Sequence, residues 1–283
     1  MTYHTRITLP ERLLALDIET VPDRERLPPD WGAKFPKPIH HRIVCISYVE
    51  AEIEHDGDGG ERHAITACRS GGDADWDEAR LLSAFWSFFA RRPTRVVGWN
   101  TRGFDVPTLL QRSLVHGLSA APWFCAASRF EGYRYRYGEG WHCDLMDQLA
   151  DYGACAKLSL DDAAAATGLP GKLGGHGSEV EAMVMAGGIE SVRAYCEADC
   201  LNLYGLYLRH GLLTGRMGRT GHAAAVDDLA GYLAAEGADR PYLRQFLDRW
   251  RRASLGPDTD PIPANAPPSA PAARAAEPAG VGA

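Results

Sequence analysis

Apolar and polar positions alternate in short blocks before they settle into helical spacing. Arg12–Val21 (RLLALDIETV) is a compact apolar run ending in acids, which predicts a buried strand. His41–Glu54 and Glu61–Arg69 are rich in β-branched residues, and Asp56-Gly57-Asp58-Gly59-Gly60 between them predicts a hairpin. Asp73–Arg92 carries Leu81, Leu82, Phe85, Phe88 and Phe89 at helical spacing. Thr94–Trp99 predicts a further strand, and Val106–His116 a helix with Pro107 in its first turn, where proline is tolerated. Leu158–Thr167 predicts a helix with Ser159 as N-cap and Gly168 just past its end. A long helix is predicted over Ile189–Leu213, then two more over Ala223–Glu236 and Arg240–Arg252. This order predicts an α/β fold with a helical C-terminal half, and no internal repeat is visible.

Composition adds boundaries. The chain has 283 residues, 45% of them hydrophobic and 24% charged, which argues against a disordered or coiled-coil chain. From Ala253 to Ala283 there are seven prolines, ten alanines and no large aromatic residue. Such a stretch buries too little apolar surface to offset its ordering entropy, so a disordered tail is expected. The net charge of −7 rules out a uniformly basic coat, although not a local basic groove. The seven cysteines are odd in number and contain no C-x-x-C, which argues against a disulfide framework or a zinc ribbon. No signal-peptide pattern or membrane-spanning run is seen, so the expectation is a cytoplasmic protein with no membrane partner.

Three groups of acids stand out. Asp17 and Glu19 lie two apart on the first strand, so both carboxylates point to one face. Like charges at the end of an apolar strand repel and are desolvated, a conflict that a divalent cation removes; an exposed edge pair is the alternative. Asn100-Thr101-Arg102-Gly103-Phe104-Asp105 closes a strand and opens a helix, where Asp105 could equally serve as an N-cap. Tyr195 and Asp199 are i and i+4 on the long helix and share a face, either as a functional pair or as a surface acid beside a packed tyrosine.

Taken in order, D-x-E, then N-x-x-x-F-D, then Y-x-x-x-D resembles the three exonuclease motifs of the DEDD superfamily in its tyrosine variant. Within that superfamily it resembles the 3′–5′ exonuclease domains of family-B DNA polymerases, and in particular the bacterial stand-alone proteins predicted to be related to that domain. The resemblance runs from about Leu13 to Tyr207, and Asp144-Leu145-Met146-Asp147 and Leu158-Ser159-Leu160-Asp161 resemble the segment between the second and third motifs. It implies a ribonuclease H-like mixed sheet flanked by helices over residues 1–215; the helical extension over 216–252 departs from the simplest exonuclease core, and the tail occupies 253–283. It also implies a two-metal mechanism with Mg²⁺ or Mn²⁺, hard ions that suit carboxylate ligands. By resemblance Asp17, Glu19 and Asp199 hold the first ion, Asp17 bridges to the second with Asp105 in support, and the Tyr195 hydroxyl orients the attacking water. Thr20, Asn100 and Phe104 are the candidates to hold the terminal nucleotide. The implied substrate is a single-stranded 3′ end, with DNA ahead of RNA. An exoribonuclease and a non-catalytic nucleic-acid-binding module on the same fold are the alternatives.

Other features carry less. Asp144, Asp147, Asp161 and Asp162 have no clear partner in the sequence, and Asp161 and Asp162 are adequately explained as first-turn residues of a helix. Gly168–Lys172 lacks the residues of a phosphate loop, while Lys172 and His176 are candidates for a backbone phosphate. Cys196 and Cys200 are read as packing. Arg240, Arg244, Arg249, Arg251 and Arg252 make the last helix basic, read mainly as a solvated face, with a nucleic-acid arm as the alternative.

Overall fold

A computed structural model describes residues 9–254, apart from 30, 33, 56, 58, 59, 125–129 and 174–176. His176, most of the predicted hairpin turn and all but the start of the tail lie outside these residues.

The strands are β1 (Arg12–Pro22), β2 (His41–His55), β3 (Glu61–Ser70), β4 (Thr94–Gly98) and β5 (His142–Asp144). They form one sheet in the order β3-β2-β1-β4-β5. The β3-β2-β1 ribbon is antiparallel, and β4 and β5 extend it in parallel. The helices are α1 (Glu78–Phe89), α2 (Asp105–Val115), α3 (Ala121–Phe124), α4 (Leu145–Leu149), α5 (Leu160–Ala166), α6 (Val180–Met185), α7 (Ile189–Leu213), α8 (Arg219–Glu236) and α9 (Pro241–Ser254). This is the mixed, helix-flanked sheet of the ribonuclease H-like fold.

Alternation along β1 divides the core. Leu14, Leu16 and Ile18 pack with Leu82, Phe85 and Phe89 of α1 and with Val106 and Leu109 of α2. Leu13 and Ala15 point to the other face, against Leu201 and Tyr204 of α7, with Leu229 of α8 and Phe246 of α9 in the same core. Asp17 and Glu19 continue this second row and are carried to the face that α7 covers. α7 packs against β1, β2, β3, α5, α6, α8 and α9, which accounts for its near-absence of amphipathic pattern.

Most predicted elements form close to their expected limits, and α7 covers the predicted residues. Ser159 caps α5, its hydroxyl accepting from the Asp162 backbone N–H at 3.0 Å. The α1 helix is shorter than predicted: Asp77 is its N-cap, accepting from the Arg80 N–H, so Asp73–Trp76 stay outside it. β5 has three residues, too few for periodicity to reveal.

Candidate active site

β1 is longer than its partner on the β4 side. β4 pairs only with Arg12–Ala15, so Asp17, Glu19 and Thr20 run past the end of the parallel ladder. A register shift between Glu19 and Thr20 re-aims the strand there. The chain leaving β4 turns into this opening. Asn100 adopts a left-handed conformation, φ 59°. Asp144 holds the turn by accepting from the backbone N–H groups of Asn100 at 3.0 Å and Arg102 at 2.9 Å. Gly98 is required here because a Cβ would collide with Thr101.

Asp105 is the first residue of α2, after the N-cap Phe104, and its carboxyl accepts from its own backbone N–H at the head of that helix. Its buried carboxyl accepts from the backbone N–H of Ile18, between Asp17 and Glu19. On the facing helix, Tyr195 donates its hydroxyl to the carboxylate of Asp199. Cys196, one residue along, donates its thiol to Asp17 Oδ2 at 3.3 Å. Asp17, Glu19, Asp105 and Asp199 thus converge from three elements.

Electrostatics registers the crowding. Asp17, Glu19 and Asp199 keep partial solvent access, yet the surrounding protein desolvates their carboxyl groups. The Asp17 carboxyl is pushed far above the usual range by desolvation and then by Asp105, Glu19 and Asp199. Glu19 is pushed up to about 9 by desolvation and by Asp199. Asp105 rises to about 7 and Asp199 to about 6, both mainly through desolvation. The Tyr195 hydroxyl is driven well upward and stays protonated. A cluster of acids that cannot all ionise is a site short of positive charge. The donor set, carboxylate oxygens with solvent access, fits a hard divalent cation. Among the described residues, Asp17, Glu19 and Cys196 have ligand atoms within 4.8 Å of one another; so do Glu139, Cys143 and His210.

Lys172 is the cation that draws both Glu19 and Asp199 downward. Its loop is fixed by Asp161 Oδ1, which accepts from the Lys172 N–H at 2.9 Å, and by Asn202 Oδ1, which accepts from Gly171 N–H at 3.1 Å. Asp147 forms an ion pair with Arg136 at 2.7 Å, and Asp162 accepts the Ser159 hydroxyl at 2.7 Å. All four acids that lacked a partner in the sequence have one in the fold.

An aromatic group borders the acids. His41 Nε2 faces the Pro36 carbonyl at 3.1 Å, so it is the protonated nitrogen, and Nδ1 accepts the Thr20 hydroxyl at 3.0 Å. The His41 ring meets Phe104 edge-on at 5.0 Å and Phe35 at 4.7 Å. Phe35 is 74% exposed. Sequence reasoning named Thr20, Asn100 and Phe104 but missed His41 and Phe35, which no motif flags.

The C-terminal helices brace the site. The buried Glu197, two residues before Asp199, accepts from Ser70 Oγ at 2.7 Å and is paired with Arg240, just before α9, and with Tyr242 of α9. Arg249 of α9 donates to the Lys172 carbonyl at 3.2 Å. Two arginines expected on a solvated face therefore hold the third motif and the lysine loop.

Fold and acid cluster define a ribonuclease H-like protein with an acidic centre at the carboxyl end of its middle strand. Residues 33–250 match the family described as predicted 3′–5′ exonucleases related to the exonuclease domain of PolB, and the chain belongs to that family. The match includes Asn100, Phe104, Asp105, Lys172, Tyr195 and Asp199, and begins after Asp17, Glu19 and Thr20. No curated protein matches the chain.

Proposed function

We propose that this protein is a metal-dependent 3′–5′ exonuclease acting on single-stranded ends, with DNA ahead of RNA, and that Asp17, Glu19, Asp105 and Asp199 are its metal ligands. The observation that carries the reading is the convergence of these four carboxyl groups, with raised proton affinities, around the end of β1. Two Mg²⁺ or Mn²⁺ ions at such a site would supply charge stabilisation to the attacking and leaving oxygens of phosphodiester hydrolysis.

The chain's own residues have distinct roles in this reading. Asp17, at the centre of the cluster, would hold both ions, Glu19 and Asp199 would help to hold one of them, and Asp105 would support the other. Tyr195 keeps its proton and orients the nucleophilic water through the edge it presents beside Asp199. Lys172 offsets the negative field of Glu19 and Asp199 and meets the scissile phosphate. Thr20 and Asn100 hold the terminal nucleotide, and Phe104, with Phe35 and His41 behind it, offers rings on which bases stack regardless of sequence.

The test is hydrolysis of 5′-labelled DNA and RNA oligonucleotides by the full chain in Mg²⁺, Mn²⁺ or EDTA. A ladder shortening from the 3′ end, abolished by EDTA, is expected, with DNA degraded faster than RNA. Binding without turnover in every metal would make the protein a nucleic-acid-binding module; faster RNA degradation would make it an exoribonuclease.

A further inference from the structure

Cys196 sets this centre apart from an all-oxygen one. Its sulfur is buried and donates to Asp17 Oδ2 at 3.3 Å, and its Sγ lies with the Asp17 and Glu19 oxygens in a group whose members are all within 4.8 Å. We propose that Asp17, Glu19 and Cys196 form a binding site for a thiophilic divalent cation, zinc being the biological member of that class. Binding of this ion excludes the hard ions from the same carboxylates.

The distances suit it. With zinc–sulfur bonds near 2.3 Å and zinc–oxygen bonds near 2.1 Å, a tetrahedral ion holds its sulfur and oxygen ligands about 3.6 Å apart. The Cys196–Asp17 contact is already 3.3 Å. Replacing the proton between Sγ and Oδ2 by the ion forms the Sγ–metal bond and releases that proton to solvent. Two carboxylates and one thiolate make three protein ligands and leave a fourth position for water. Thiolates contribute little to binding of Mg²⁺ or Mn²⁺, whereas zinc binds more tightly than either to sites of mixed donors. Binding stands on this geometry alone; only the inhibition that follows rests on the nuclease reading.

The probe is Cd²⁺, whose bond to sulfur gives an ultraviolet charge-transfer band. The full chain is used with Cys155, which is exposed, and Cys125, which lies outside the described residues, replaced by serine. One equivalent of Cd²⁺ should saturate the band. It should disappear in Cys196→Ser, weaken at least tenfold in apparent affinity in Glu19→Gln, and survive in Cys143→Ser, the cysteine of the other ligand group. Excess Mn²⁺ should raise the apparent Cd²⁺ dissociation constant. A band that persists in Cys196→Ser, or that Mn²⁺ fails to shift, overturns the proposal. If Cys196→Ser fails to fold by circular dichroism, ¹¹³Cd NMR of the parent decides instead, a cadmium without a sulfur ligand being the contrary result. Zn²⁺ should also inhibit hydrolysis, with relief by excess Mg²⁺. A protein that shows the Cd²⁺ band and no nuclease activity in any metal keeps this site and loses the nuclease reading.

Discussion

Tyr195 donates its hydroxyl to the carboxylate of Asp199, four residues further along the same face of α7. Burial and the neighbouring acids drive the phenol's proton affinity upward, so the group acts as a hydrogen-bond donor throughout the physiological range.

That bond separates two roles. A positioning hydroxyl contributes one or two hydrogen bonds, so Tyr195→Phe should lower turnover roughly 10- to 1,000-fold. Its Mn²⁺ affinity should stay within about threefold of wild type, because the phenol is not a ligand. Asp199→Asn should lose both turnover and metal affinity. Mn²⁺ titration of both variants, read by calorimetry, makes the comparison. Equal loss of affinity in the two would make the hydroxyl part of the metal site itself.

The acid cluster destabilises the metal-free fold as pH rises. Asp199, Asp105 and Glu19 hold protons to about 6, 7 and 9, whereas unfolded carboxyl groups release them near 4. A raised folded value means that the contribution to stability is whole below about pH 4 and is lost as pH climbs through those values. Asp17→Asn removes the most crowded carboxyl. In EDTA its melting temperature should exceed that of wild type near neutral pH, because the folded state no longer has to hold that proton or that charge. The gap should narrow towards pH 4, and saturating Mn²⁺ should reverse its sign. Scanning calorimetry at about pH 4, 6 and 8 checks this; a gap independent of pH would mean that the cluster is not charge-crowded.

The fold was largely legible because its strands and helices are patterned by burial. β1 shows its alternation, α7 its length and Ser159 its cap. The three motif groups could be read as a site because each falls at the end of an element whose direction the pattern predicts. What stayed hidden depends on distant partners. β5 is three residues whose pairing with β4 supplies its identity. The Asp144–Asn100 bond, the Lys172 field on Glu19 and the Phe35–His41–Phe104 group each join segments far apart in sequence. Arg240 looked like surface charge because nothing near it in sequence announces the buried Glu197.

That pair predicts a role in stability for the link between α8 and α9. Arg240→Ala strips the main cation from a carboxylate that is 5% exposed. The cost should be about 2 kcal/mol, below the usual range for breaking a buried pair because Arg240 is partly exposed and Tyr242 still donates. Urea denaturation measures it. Arg240→Ala combined with Glu197→Gln should recover part of the loss; simple additivity of the two would show that the pair is not coupled.

Lys172 predicts a change in pH dependence. Because it lowers the proton affinities of Glu19 and Asp199, Lys172→Gln should raise both. The acid limb of the kcat/KM profile in Mn²⁺ should move to higher pH, because a nearby positive charge that favours the ionised carboxylates is lost. A profile that falls in height without moving would restrict Lys172 to contact with the phosphate.

The most direct test is hydrolysis of a 5′-labelled single-stranded oligonucleotide by wild type and Asp17→Asn, in Mn²⁺ and in EDTA. A ladder shortening from the 3′ end with wild type in Mn²⁺, absent in EDTA and reduced more than tenfold in Asp17→Asn, is the predicted result. Undiminished cleavage in EDTA, release from the 5′ end, or an Asp17→Asn variant as active as wild type would contradict the assignment of the acid cluster as a 3′–5′ exonuclease centre.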